Sequence, residues 1–81
     1  MLLEAVELNN LELIKALIKA GANIHADDDE ALKNACWNGH LGIVKELLKA
    51  GANVHANNDD ALRLAKEHRH KYIVILLEQY M

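Results

Sequence analysis

The chain contains no serine, threonine, proline or phenylalanine, and only one cysteine, one tryptophan and two tyrosines among its 81 residues. Without serine or threonine there is no Ser-His-Asp set and no Gly-Lys-Ser/Thr phosphate loop, and the only side-chain hydroxyls are those of Tyr72 and Tyr80. A lone Cys36 forms no internal disulfide, and its place among apolar residues predicts a small buried thiol. No run approaches the ~20 apolar residues that a membrane span requires. The opening Met1-Leu2-Leu3-Glu4 has neither a basic region nor a long apolar stretch, so no export signal is expected and the expected location is cytoplasmic, in the chain's own cell or in a host's. A net charge of −3, with basic residues interspersed among acids, argues against nucleic acid. Few aromatics in a chain that is 52% hydrophobic imply an aliphatic, alanine-rich core suited to closely packed short helices.

What the chain does have is a repeat. Gly21 to Ala50 recurs, ungapped, as Gly51 to Tyr80 with 13 of 30 positions identical, so the 30-residue frame aligns every later comparison. Residues 1–20 fit the same register against 31–50, matching at Leu2/Leu32, Ala5/Ala35, Leu11/Leu41 and Leu17/Leu47. A single domain over residues 1–81 is expected, made of a partial unit 1–20 and units 21–50 and 51–81. A fixed period of this length marks a solenoid, whose units bury their apolar faces only against their neighbours. Within a unit the apolar residues come in two bursts at helical spacing, Leu32, Ala35, Cys36 and then Leu41, Ile43, Val44, Leu47, Leu48. Two antiparallel helices per unit follow. Asn38-Gly39 and Gly51-Ala52-Asn53 supply the left-handed residues that end helices. The first helix of the unit is expected to start within Asp27-Asp28-Asp29-Glu30, with carboxylates capping free amides.

The segment from Asn38 to Val54, NGHLGIVKELLKAGANV, resembles the ankyrin pattern of an outer helix followed by a G-A-x-V loop. The resemblance implies an all-α, ankyrin-like helix-turn-helix solenoid of about three repeats with short loops. It departs from the family where Glu30-Ala31-Leu32-Lys33 and Asp60-Ala61-Leu62-Arg63 replace T-P-L-H, and in units of 30 rather than ~33 residues. The shortened loop is not expected to form a full β-hairpin. Such units are similar to arrays of large viruses and some bacteria. In the last unit Arg69 replaces Gly39 and Lys71 replaces Leu41, while Ile75 and Leu76 stand where Lys45 and Glu46 stood.

The resemblance implies a non-catalytic module that binds another protein through loop tips and the exposed side of the inner helices. Carried over residue by residue, the contact strip holds Asp27, Asp28, Asn57 and Asn58 at the loops. On the helices it holds Lys33, Trp37, Asn38, Arg63, Glu67 and His68, with Trp37 as its centre. Trp37 is expected to be exposed because its repeat equivalents are Glu7 and Glu67. Acids concentrated in two neighbouring loops point to a partner with a basic surface. Their D-D-D-E spacing lacks the pattern of a calcium loop. Equivalent histidines such as His25 and His55 lie too far apart for one zinc ion, so neither metal nor cofactor is expected. Two alternatives stand beside this reading. One is a small phage, viral or bacterial inhibitor blocking a host protein, suggested by the chain's apparent completeness. The other is a homo-oligomeric or engineered minimal scaffold associating through Ile75, Leu76 and Tyr80, because both ends of the stack look poorly capped.

Overall fold

The structure, a computed structural model, describes residues 2–81. Met1, which the sequence placed at the apolar N-terminal end, lies outside the described residues. Among the described residues six helices follow one another: α1 (Leu2–Glu7), α2 (Leu11–Lys19), α3 (Ala26–Asn38), α4 (Leu41–Lys49), α5 (Ala56–Glu67) and α6 (Lys71–Gln79). No strand occurs among the described residues. The inner helices α1, α3 and α5 stack on one another, and the outer helices α2, α4 and α6 form a second layer, giving an array about 30 Å long.

Alanine sets the inner spacing. Ala5, Ala35 and Ala65 are equivalent under the 30-residue frame and fully buried, which lets three inner helices approach closely. Above them Ile14, Ile43, Val44, Leu47, Ile73 and Leu77 of the outer helices complete one continuous core. The helices within a unit are joined by one repeated device. Asn9, Gly39 and Arg69, again equivalent, all adopt left-handed backbone at φ +54°, +79° and +59°. The next residue then donates its N–H five residues back, to Ala5, Ala35 and Ala65 carbonyls at 2.9–3.0 Å, closing the inner helix.

The loops between units do not behave as the sequence reading anticipated. Asp27, Asp28 and Asp29 at the start of α3, and Asn57, Asn58 and Asp59 at the start of α5, have φ between +55° and +60° and form one left-handed turn each. Only Gly, Asn and Asp enter this region at modest cost, and the loop offers Asp and Asn at all six positions. Neither helix receives a side-chain cap there. Asp29 is instead buried and faces the next unit, accepting the Asn53 N–H at 2.7 Å and pairing with His25 Nδ1 at 2.9 Å. The expectation of helix capping thus gives way to a bridge between loops, because a left-handed turn aims the carboxylate away from the amides of its own helix.

The ends of the stack differ from expectation as well. Leu76 is half-buried and packs against the core, whereas Ile75 and Tyr80 are 44% and 46% exposed. The end face of the third unit carries Lys66, Arg69, Lys71 and Glu78 in the positions of Cys36, Gly39, Leu41 and Leu48. These charged groups stand beside the exposed Ile75 and Tyr80, so the face is mixed and not uniformly apolar.

Candidate protein-binding surface

Repetition places functional side chains in rows, and two neighbouring regions result. The first is a cleft of about 810 Å³ between the two inter-unit loops, lined by His25, Asp28, Asp29, Asn53, His55, Asn57 and Asn58. Asn23 and Asn53 shape it by accepting the N–H of His25 and His55 through Oδ1, each at 3.0 Å. His55 Nδ1 meets Asp59 at 2.6 Å, repeating the His25–Asp29 pair. The left-handed turns leave Asp28, Asn57 and Asn58 exposed, with Asn57 Nδ2 donating to Asp60 at 3.3 Å. Asp27 lies elsewhere, in a depression of about 220 Å³ with Leu2, Leu3 and Ile24 on the N-terminal side.

The second region is the exposed side of the inner helices. Trp37 is 51% exposed and walls a depression of about 340 Å³ with Glu7, Lys33, Asn34 and Asn38. Its other side leans on His68, with ring centroids 4.6 Å apart and planes at 44°. His70 fixes the same residue from behind, donating from Nε2 to the Trp37 carbonyl at 3.0 Å and lying 6.0 Å from the His68 ring. A Cβ on Gly39 would sit 2.6 Å from the His70 ring, so the glycine leaves room for the imidazole that holds the tryptophan. On α5, Arg63 reaches Glu67 at 3.4 Å and also contacts Asp60.

Of the residues singled out from sequence, Lys33, Trp37 and Asn38 therefore share one depression, with His68 against the Trp37 ring and Arg63 and Glu67 paired on the adjacent helix. Asp28, Asn57 and Asn58 share the loop cleft. Asp27 joins neither. Two positions went unrecognised: His70, whose equivalents Asn10 and His40 make no such bond, and Asp29, whose role depends on the facing loop. The length of His70 opposite a glycine was the one available signal.

The chemistry of the remaining groups is limited. Cys36 is fully buried, and burial pushes its thiol from 9.0 up to about 12. A thiol so protonated is a poor nucleophile. Among the described residues, no group of three or more His, Cys, Asp or Glu is placed to hold a metal ion. No helix among them is long and apolar enough to cross a membrane.

Against known protein families, residues 2–80 match the description "Ankyrin repeats (3 copies)". Such repeats are in general protein–protein interaction modules and not enzymes. No curated protein matches the sequence. With three helix pairs in one 30-residue frame, and that match running almost end to end, the chain belongs to the ankyrin repeat family.

Proposed function

We propose that the chain is a non-catalytic binding module whose contact surface runs from the loop cleft across the inner helices, with Trp37 as the anchor. The observation that carries this is the state of Trp37: half exposed, yet held by the His68 ring on one side and by His70 through its carbonyl. A rigid exposed aromatic contributes large contact area with little entropy left to lose on binding. The open depression beside it, edged by Glu7, Lys33 and Asn38, offers both charge signs and amide groups to a protein surface. Asp28 at the mouth of the loop cleft, together with the net charge of −3, favours a partner that brings basic residues to the loops.

The test is affinity capture of partners followed by titration of the captured protein against Trp37→Ala. Binding should weaken by about 2 kcal/mol or more while the helical melt barely moves. A lowered melting temperature with unchanged affinity would make Trp37 a packing residue and remove the anchor. Asp28→Asn should slow association and flatten its salt dependence.

A further inference from the structure

The surface that the second unit turns towards the third holds Cys36, Gly39 and Leu41, small or apolar residues over which His70 and its neighbours close. In the third unit the same register holds Lys66, Arg69 and Lys71, all exposed. None of the three forms an ion pair among the described residues, although the chain as a whole is acidic. A face charged for solubility alone would be polar throughout. Here the cations surround an apolar floor: with Val74 and the 44%-exposed Ile75 they line a depression of about 340 Å³. Arg69 and Lys71 also edge an adjoining depression of about 290 Å³ that contains Leu41 and Tyr72. Ile75 stands where the preceding unit has Lys45, so apolar surface replaces charge at this spot.

We propose that this end face is a second docking site, distinct from the Trp37 surface, for an acidic amphipathic helix of another protein. One aliphatic or aromatic side chain of that helix fills the Val74–Ile75 depression, and carboxylates on its flanks meet Lys66, Arg69 and Lys71. The commitment to an acidic partner rests on charge complementarity: three cations without an ion-pair partner repel a basic occupant and steer an acidic one.

The probe is a synthetic helical peptide with leucines at i, i+4 and i+7 flanked by glutamates, compared with the same peptide carrying lysine at each glutamate. Fluorescence anisotropy with the full chain at low ionic strength should show the acidic peptide binding about tenfold or more tighter. Combining Lys66→Glu, Arg69→Glu and Lys71→Glu should invert the preference. Ile75→Lys, which restores the residue of the second unit and so preserves the fold, should weaken binding severalfold, and Trp37→Ala should leave it unchanged. Equal binding of both peptides, retained binding by the triple variant, or loss on Trp37→Ala would overturn the proposal. So would a sedimentation mass of two copies that Ile75→Lys returns to one, because a second copy would then be the occupant.

Discussion

Units two and three share a frame and many residues, yet equivalent side chains live in different surroundings. Asp29 and Asp59 each pair with the histidine four residues earlier, at 2.9 and 2.6 Å. The Asp29 side chain is 6% exposed and the Asp59 side chain 47%. The difference comes from the neighbour. The loop of unit three lies over Asp29 and donates the Asn53 N–H to it, and no loop lies over Asp59. In a solenoid, burial is conferred by the adjacent unit as much as by a unit's own sequence. The same comparison holds at the turn: Gly39 lies under His70, whereas Arg69 faces outward.

The strongest way to break this comparison is to give Gly39 a side chain. Gly39→Ala forces alanine into φ +79° and puts its Cβ 2.6 Å from His70 Cε1. Left-handed backbone alone costs roughly 1–2 kcal/mol. Displacing the imidazole adds to that, so a total of about 3 kcal/mol is expected in a chain whose whole stability is ~3–5 kcal/mol. Thermal melts followed by circular dichroism should show a melting temperature lower by roughly 12–24 °C. Gly51→Ala, at φ +99° with open space around it, isolates the backbone part and should cost less. If both alanines cost the same, the His70 contact does not matter. The double variant with His70→Ala should recover the steric part.

A second, smaller effect separates the two aspartates. Asp29→Ala removes a carboxylate that joins two loops, and hydrogen bonds to a charged group contribute about 1.5–3 kcal/mol. Asp59→Ala removes an exposed pair, for which about 0–1 kcal/mol is expected. Both replacements put alanine into left-handed backbone, at φ +58° and +60°, so that strain cancels in the difference. Urea denaturation of the two variants should give midpoints clearly lower for Asp29→Ala. Coincident midpoints would mean that the Asn53 contact contributes nothing.

The pattern that was legible in the sequence is the pattern that repeats. Helix pairs, the shared inner spacing of Ala5, Ala35 and Ala65, and the turn at Gly39 all follow from the period and from apolar spacing. The exposure of Trp37 followed from its equivalents Glu7 and Glu67. What could not be read is what one unit does to the next. Asp29 looked like a cap because acids before a helix generally cap it, and only the facing Asn53 N–H reveals a bridge. Ile75 and Leu76 looked like one patch because they are adjacent in sequence. They are about 100° apart on a helix, and only Leu76 turns inward. The position of Leu76 belonged to Glu46, itself half-buried, whereas the position of Ile75 belonged to the exposed Lys45. Arg69 and Lys71 stand out in the sequence as departures from Gly39 and Leu41, but only the face towards the next unit joins Lys66 to them.

The smallest effect tests the turn position across all three units. Asn9, Gly39 and Arg69 occupy the same left-handed site, and only glycine does so without steric strain. Arginine has no local side-chain hydrogen bond to compensate, whereas asparagine tolerates the region better than other non-glycine residues. Arg69→Gly should therefore stabilise the chain by up to about 1 kcal/mol, after allowance for the extra freedom that glycine gives the unfolded state. In a domain of this size that corresponds to a melting temperature higher by about 4–8 °C. Asn9→Gly should change it less. The arginine at this site is then a residue kept despite its backbone, consistent with its charge having a use on the end face. A fall in melting temperature for Arg69→Gly, or a larger gain for Asn9→Gly, would show that the guanidinium stabilises the fold itself and that its presence there calls for no binding role.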